Sequence, residues 1–449
     1  MPSFRPICIL LLFALLFQGC GKNGPTLKLL VWISKEDRPA LDRQLEEFSR
    51  ENGKSHVEVV AVATMEECRE EFQRRLLRGN APDVCMISAS DLPLLLQNKQ
   101  VCDLAPYHPD EKPFLPEAWK TFLRDGKLYA LPCGWSTLAL YYNKTIFERH
   151  GFRCPRSSWD WGDLALAAQA LTVVDEASGK TAQYGLELSP AVERWAPFLW
   201  QNQGELIRPD GDWALIDPQY SQSACEAVGF YADLVREHHV APLPAKGKWR
   251  EQDGALFLKG KAAMTMAPRG YGSRLQQGGN FTWEVAQLPR RSQNASLFEV
   301  FGYAIPSSCR QPELAWKLAS FLGRETGQAA MIQQGSYAPA WRSLLQSKLF
   351  LDFPGPRAAD NSVFVISLSF ARTTPAVPYW DKASAILSEE MLTLMSSPTL
   401  DVRDSVEKMQ GRLEELKLLK EKGVQPPPAP PEPRKPVVAP KITPPVHQR

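Results

Sequence analysis

The first hundred residues alternate short apolar runs with segments of helical periodicity, and this alternation constrains the fold more than any other feature. Residues 27–33, 57–63 and 84–87 are strand-length runs of mostly apolar side chains. In residues 41–48 and 68–76, apolar side chains recur every three or four positions, which is the spacing of a helix face. Strands that alternate with helices are typical of a parallel sheet covered on both faces. The pattern therefore predicts an α/β fold with a parallel sheet.

The same alternation continues through the rest of the chain. Residues 138–142 predict another strand, and residues 161–171, 224–237 and 314–322 predict helices. Near the C-terminus, the apolar positions of residues 402–416 alternate steps of four and three. Two heptads are too few for a coiled-coil seam, so we expect this helix to pack on the body of a monomer.

Chain length and charge narrow the classes of protein further. With 449 residues, the chain is longer than one hydrophobic core usually serves, so we expect two domains. The formal net charge of +2 leaves no broad basic field, which argues against nucleic acid as a partner.

The N-terminus has the pattern of an export signal. Arg5 precedes an unbroken apolar run, residues 7–17, and a glycine and Cys20 follow shortly after it. The run has 11 residues, whereas a bilayer-spanning helix needs about 20. It therefore fits a cleaved secretion signal and resembles that of bacterial lipoproteins, whose cysteine becomes lipidated. The resemblance implies a signal peptide over 1–19, lipidation of Cys20, a tether over 20–26 and attachment to a membrane outside the cytoplasm. A plain cleaved signal is the alternative.

The opposite end of the chain has a different composition. Residues 423–449 contain ten prolines and almost nothing that could build a core. This composition predicts an extended, disordered tail over residues 424–449.

The chain lacks the common catalytic and metal-binding motifs. There is no G-x-S-x-G, no H-E-x-x-H, no Walker or dinucleotide glycine loop, and no C-x-x-C pair. We therefore expect no enzyme, no cofactor and no metal site. Whether any cysteines form disulfides stays open at this point.

Aromatic residues are abundant instead. The chain has 13 tryptophans, and several of them, such as Trp135 and Trp195, fall in loops or at strand ends. Rigid aromatic faces suit the C–H faces of sugar rings, with neighbouring polar groups for the hydroxyls. Trp32 and Trp200 lie in apolar stretches, and their surroundings indicate structural roles.

Eight short strings, taken in order, resemble one family. They are LLVWI (29–33), GNAPDV (79–84), VCDLAPY (101–107), GKLYALP (126–132), LYYNK (140–144), FLKGKAAM (257–264), FGYAIP (301–306) and AWKLASFL (315–322). Together they resemble the extracellular solute-binding proteins of ABC importers, family 1, the group typified by maltose-binding protein.

The resemblance implies a periplasmic binding protein-like fold, in which two α/β lobes are joined by a hinge of several segments and close around a ligand. The implied segments are lobe 1 over 27–135, lobe 2 over 136–299, a return to lobe 1 over 300–336, and a return to lobe 2 with the terminal helices over 337–423.

The resemblance also places ligand-binding positions on loops between the lobes. They are Ser34, Glu36, Asp37, Ser88, Ser90, Asp91, Trp135, Ser136, Glu193, Trp195, Tyr271, Glu299 and Phe301. Ser136 falls where maltose-binding protein has a carboxylate, and residues 88–90 replace a more polar loop that bears an aromatic residue. The identity of the ligand therefore does not carry over.

The resemblance implies a lipid-anchored receptor that delivers a small solute, a mono- or oligosaccharide, to the permease subunits of an ABC importer without catalysing a reaction. One alternative is a polyamine or other small-solute receptor of the same fold, since several of the implied positions are carboxylates. Another is a sensory or structural lipoprotein that serves no transporter.

Overall fold

The structure, a computed structural model, describes residues 24–35, 37–332, 335, 337–352 and 361–422. Outside the described residues lie the predicted signal peptide (1–19), Cys20 with the start of the tether (20–26), Glu36, and the Pro-rich tail (424–449).

Strands and helices alternate along the described chain. The strands are β1 (Thr26–Trp32), β2 (His56–Val62), β3 (Val84–Ser88), β4 (Leu123–Arg124), β5 (Lys127–Leu128), β6 (Leu131–Asn143), β7 (Val173–Val174), β8 (Thr181–Glu187), β9 (Ala262–Pro268), β10 (Trp283–Ala286), β11 (Ser296–Ala304), β12 (Ala338–Pro339) and β13 (Ala371–Arg372). The α-helices are α1 (Arg38–Glu51), α2 (Met65–Leu77), α3 (Leu92–Gln97), α4 (Pro116–Thr121), α5 (Lys144–Arg149), α6 (Trp161–Ala170), α7 (Val192–Gln201), α8 (Ser221–Arg236), α9 (Trp249–Gln252), α10 (Ala255–Leu258), α11 (Tyr271–Gly278), α12 (Pro312–Gly323), α13 (Glu325–Ile332), α14 (Lys348–Leu351), α15 (Ser362–Ser367), α16 (Trp380–Met395) and α17 (Val402–Glu421). Short 3-10 turns occupy Ala89–Asp91, Ala105–Tyr107, Arg342–Gln346 and Leu368–Phe370.

The main sheet confirms the α/β class but is mixed rather than parallel. Its strand order is β2-β1-β3-β11-β6-β9-β8-β7. Pairing is parallel between β1 and its neighbours β2 and β3, and between β8 and β9. In contrast, β11 runs antiparallel to both β3 and β6, and β6 runs antiparallel to β9. The three strands from which the sequence predicted a parallel sheet, β1, β2 and β3, do pair in parallel, whereas the later strands make the sheet as a whole mixed. Since β11 joins the sheet only after a long excursion through the other lobe, no β-α-β crossover fixes its direction.

Two strands of this sheet run through both lobes. The first half of β6 pairs with β11 and β12, so that Trp135 lies opposite Val300 and Ala338. Its second half pairs with β9 and β10, where Leu140 lies opposite Met266 and Ala286. All 13 residues of β6 are buried. The fold is thus two α/β lobes joined by shared strands, as the family resemblance implies, while the segment boundaries given above stay predictions.

Side chains of β6 alternate between two hydrophobic clusters. Ala139 and Tyr141 belong to the cluster that also contains β1 and β3, whereas Leu138, Leu140 and Tyr142 belong to the cluster under α7, α8 and α16. This alternation is the period of two that an extended strand imposes. The second cluster is closed by α17, whose buried side chains face α8 and α16, as its apolar spacing predicts.

Candidate functional site

A cavity of about 420 Å³ lies between the lobes. One wall comes from the end of β1 with Trp32 and from the loops after β1 and β2, which bring Ser34 and Thr64 to the surface of the cavity. The opposite wall comes from the loop before α10 and from the start of α11, with Asp253 and Tyr271. The volume is in the range of small-molecule sites in proteins.

Aromatic rings form much of this wall, and hydrogen bonds fix two of them. The indole Nε1 of Trp32 donates to the carbonyl of Ala63 at 3.0 Å, and the ring meets Phe301 edge-on with centroids 5.1 Å apart. The hydroxyl of Tyr271 donates to the carbonyl of Gly254. Trp32, for which the sequence indicated a structural role, therefore contributes directly to the cavity wall.

Hydrogen bonds of polar groups at the cavity connect three chain segments, which contain Ser136, Arg269 and Tyr337. The Ser34 hydroxyl accepts a hydrogen bond from the amide of Asp37 at 3.0 Å at the start of α1. The Ser136 hydroxyl accepts from the amide of Arg269 at 3.0 Å. The buried guanidinium of Arg269 donates to the carbonyl of Tyr337 at 2.9 Å. Burial lowers the pKa of Arg269 to about 10, although the charges of Tyr141 and Asp37 act in the opposite direction.

Charged side chains occupy the lobe 2 side of the cavity and the strand β11. Arg194 and Asp253 form an ion pair at 2.8 Å. Burial, and then the charge of Glu193, raises the pKa of Glu299 to about 7. The pKa of Glu193 is also raised, mainly by burial. These carboxyl groups are therefore easier to protonate than exposed ones.

A second cavity of about 340 Å³ adjoins the first, and the two share Glu299 and Phe301 of β11. Its lining includes Ser88, Ser90 and Glu193. Its other polar residues are Arg69, Lys120, Thr121, Arg124, Thr373, Thr374 and Ser384. The site therefore consists of two chambers that share Glu299 and Phe301 of β11 and Met65 of α2.

The structure brings most of the predicted site residues to these chambers. Ser34, Asp37, Ser136 and Tyr271 line the first chamber, Ser88, Ser90 and Glu193 line the second, and Glu299 and Phe301 line both.

Asp91, Trp135 and Trp195 line neither chamber. Asp91 is held in an ion pair with Arg69 at 2.6 Å. Both tryptophans are buried, and their indole nitrogens donate to main-chain carbonyls, Trp135 to Pro339 at 2.6 Å and Trp195 to Pro190 at 3.2 Å. Their predicted contact with ligand stays a prediction, which the chamber walls do not support.

Other lining residues have no signal in the sequence. Arg194, Asp253, Arg274, Gln277 and Tyr337 line the first chamber. Arg194 and Asp253 are 59 positions apart, so no local spacing could reveal their ion pair. Only Tyr337 had an indirect indication in the sequence, because the family resemblance implies that the chain crosses between the lobes just before it.

The described residues show no metal site, no disulfide and no membrane-spanning helix. They contain no cluster of three or more histidine, cysteine or carboxylate side chains that could hold a metal. The seven cysteines of this part of the chain are free thiols. No helix in the described ranges combines the length and apolar character needed to cross a bilayer.

Among curated proteins, the chain resembles binding proteins. It is 25% identical to a binding protein of Brucella abortus (strain 2308) over 273 residues, 60% of this chain. The match spans 63% of the length of that relative. It is 20% identical over 400 residues to the galactooligosaccharide-binding protein of Bacillus subtilis (strain 168), covering 86% of this chain and 89% of that protein.

Solved structures of the same fold bind different solutes. The ABC substrate-binding protein Lmo0181 of Listeria monocytogenes, in complex with cycloalternan, has a TM-score of 0.77 and 22% identity, covering 90% of this chain and all of that one. UgpB of Mycobacterium tuberculosis, in complex with glycerophosphocholine, has a TM-score of 0.75 and 18% identity, covering 89% of this chain and all of that one. At these identities the likeness establishes the fold alone.

The match to a family model is more extensive. The model described as bacterial extracellular solute-binding protein matches residues 44–354, more than half of the chain. Proteins of this family and its structural neighbours are substrate-binding receptors outside the cytoplasm, not enzymes. The chain therefore belongs to the bacterial extracellular solute-binding protein family.

Proposed function

We propose that the protein is a lipid-anchored monomeric receptor that captures a carbohydrate, either a mono- or an oligosaccharide, and delivers it to the permease of an ABC importer. The observation that carries this proposal is the first chamber, where the rings of Trp32, Tyr271 and Phe301 surround a space bordered by hydroxyl, carboxylate and guanidinium groups. Apolar ring faces beside a few directed polar groups are the chemistry that sugar rings require.

The dimensions of the site favour more than one sugar unit. Chambers of about 420 Å³ and 340 Å³ share the wall formed by Glu299 and Phe301. A ligand that spans this wall would contact aromatic faces on one side and hydroxyl groups on the other. Similarity to proteins named for galactooligosaccharide and cycloalternan binding supports the same ligand class.

Capture requires closure of the lobes around the solute. The described structure already has an ion pair between the lobes, Arg250 to Glu66 at 3.5 Å, near the first chamber. A ligand that contacts both lobes stabilises the closed arrangement by its differential affinity, and the closed surface is what the permease recognises. Lipidation of Cys20 would keep the receptor at the membrane that holds the permease.

Thermal unfolding with a solute panel tests the proposal. The panel contains neutral mono- and oligosaccharides together with spermidine and glycerophosphocholine. A carbohydrate present at 100 times its Kd should raise the free energy of unfolding by about 2.7 kcal/mol. Stabilisation by a non-carbohydrate alone, with no response to any sugar, would contradict the carbohydrate assignment.

A further inference from the structure

We propose that Glu187 is a positioning residue of the solute site, because its carboxylate holds residues 253–257 in the place where they form a wall of the first chamber. Glu187 itself lines neither chamber, so it acts on the solute only through this segment. The inference rests on the receptor function proposed above, but it holds for any class of solute that contacts this wall.

Glu187 supplies the N-terminal cap of α10 from a distant part of the chain. It is the last residue of β8, and 7% of its surface is exposed. One carboxylate oxygen accepts a hydrogen bond from the amide of Leu256 at 3.1 Å, and the other accepts from the amide of Phe257 at 2.7 Å. Both amides are in the first turn of α10, where no carbonyl of the helix can accept from them. Since Gly254 before the helix has no side chain, the cap comes from Glu187, 69 positions from Leu256.

The buried carboxylate and the helix depend on each other. Burial raises the pKa of Glu187 to about 7, whereas the hydrogen bonds from Phe257 and Leu256 lower it. The charges of Asp253 and Arg274 also act on it, in opposite directions. A buried carboxylate without these hydrogen bonds would be unfavourable, and hydrogen bonds to an ionised group are stronger than those between neutral groups. The contact between β8 and α10 therefore fixes the position of the helix.

The residues just before α10 form the chamber wall itself. Asp253 and Gly254 line the first chamber, and Asp253 pairs with Arg194 at 2.8 Å. Gly254 has a φ of 74°, and its carbonyl accepts a hydrogen bond from the hydroxyl of Tyr271. A Cβ at this position would lie 2.5 Å from the ring of Tyr271, so the backbone packs directly against that ring. A shift of α10 would therefore disturb contacts with two other lining residues.

The same segment continues into a contact between the lobes. The helix α9 ends directly before Asp253, and its Arg250 pairs with Glu66 of the opposite lobe at 3.5 Å. The cap by Glu187 fixes the far end of this segment. Its position therefore affects both the chamber wall and a contact made when the lobes approach each other.

The test compares solute affinity in two variants that remove different parts of the cap. Isothermal titration calorimetry of the full-length protein at pH 8, where Glu187 is mostly ionised, uses maltotriose, cycloalternan, spermidine and glycerophosphocholine as probes. For each probe that binds the wild type, Glu187→Gln keeps one acceptor oxygen and should bind about fivefold more weakly, whereas Glu187→Ala should bind about twentyfold more weakly. The partial rescue by glutamine is the result that a general loss of stability would not give.

Asp401→Asn is the matched control. Asp401 also accepts from two amides at the start of a helix, those of Arg403 at 2.8 Å and Asp404 at 3.1 Å, but it lines neither chamber. This variant should melt at a lower temperature and bind the probes as the wild type does. Wild-type affinity in both Glu187 variants, or an equal loss in Asp401→Asn, would overturn the inference.

Hydrogen exchange of the wild type adds a measurement that does not need the variants to fold. The amides of Leu256 and Phe257 should exchange more slowly with a probe bound, because a solute against Asp253 and Gly254 hinders opening of the segment. Unchanged exchange at saturation would contradict the inference. If only spermidine or glycerophosphocholine binds and the Glu187 variants weaken it, the carbohydrate assignment fails and this inference stands. If a sugar binds equally well to all variants, the reverse holds, and if no probe binds, both fail.

Discussion

Two regions of the molecule each contain a tryptophan in a different environment. Trp135 lies in a buried strand that joins the lobes, and Trp32 lies in the wall of the cleft. Trp135 on β6 is fully buried, with its indole bonded to Pro339 and its ring near Phe298 and Phe350. Trp32 at the end of β1 is partly buried and lines the first chamber.

In the sequence Trp32 lies within an apolar stretch and Trp135 lies between a glycine and a serine, yet Trp32 lines the chamber and Trp135 is buried, so local composition predicts the wrong one of the two for the cleft. The difference comes from sheet position. β6 has partners on both edges and packs against side chains on both faces, whereas the chain leaves the sheet just after Trp32. Ends of strands present side chains to ligands, and strands shared by two lobes supply rigidity.

The largest expected effect is on the buried side of this comparison. Trp135→Ala should lower the free energy of unfolding by about 3–5 kcal/mol, because it leaves a cavity in the core. It also removes the donor to the Pro339 carbonyl. Denaturant unfolding measures this loss, and Trp135→Phe, which keeps a ring, should lose less. If Trp135→Ala were as stable as the wild type but no longer bound ligand, Trp135 would belong to the cleft.

On the cleft side, Trp32→Ala should weaken carbohydrate binding by about 1–3 kcal/mol through loss of apolar contact. Stability should change less than in Trp135→Ala, because Trp32 is partly exposed already. A matched control is Trp316→Ala, since Trp316 is also partly buried and stacks on Tyr107 but lines neither chamber. Calorimetry that gave equal affinities for both variants would remove Trp32 from the site.

Glu299 belongs to both regions, because its strand joins the lobes and its side chain faces the chambers. Its folded-state pKa of about 7 lies above the ordinary value, so its contribution to stability is fully present below about pH 4.5 and is lost as pH rises through 7. For a partly exposed group we expect a loss on the order of 1 kcal/mol between pH 5 and pH 8.

Comparing the wild type with Glu299→Gln isolates this contribution. Burial raises the pKa of Glu187 to about 7 as well and also raises that of Glu193, so the wild type should lose stability with rising pH through several carboxyl groups. Only the share due to Glu299 disappears in the variant. Unfolding free energies measured from pH 5 to pH 8 that ran parallel for the two proteins would show that Glu299 is solvated like a surface carboxylate.

Sequence periodicity predicted the outer elements well, because each has one buried and one exposed face. The elements from β1 to β3, with α1 and α2 between them, lie within one or two residues of the predicted runs except at both ends of α1 and at the start of α2. Periodicity could not predict the length of β6, since all 13 of its residues are buried and no polar face marks its ends. Periodicity also could not predict the position of β11 in the sheet, because pairing with the distant strands β3 and β6 determines it.

The site also contains residues that could be predicted from the sequence and residues that could not. Ser34, Ser136 and Tyr271 were nominated through family resemblance, and the structure places them in one chamber. The Arg194–Asp253 ion pair forms only after lobe 2 has folded, so neither residue stands out in the chain. The ligand class depends on such charge relations, which is why the fold could be predicted from the sequence while the solute could not.

The position of β11 between β3 and β6 also affects when the chain can fold. Cys85 and Ala304 lie side by side in the sheet although they are 219 positions apart. Until synthesis reaches β11, β3 and β6 each have an unpaired edge, and the central sheet of lobe 1 cannot form. Contacts over such separations make folding slow. Because members of this family work outside the cytoplasm, a central sheet that forms late is compatible with passage of the chain across a membrane before it folds.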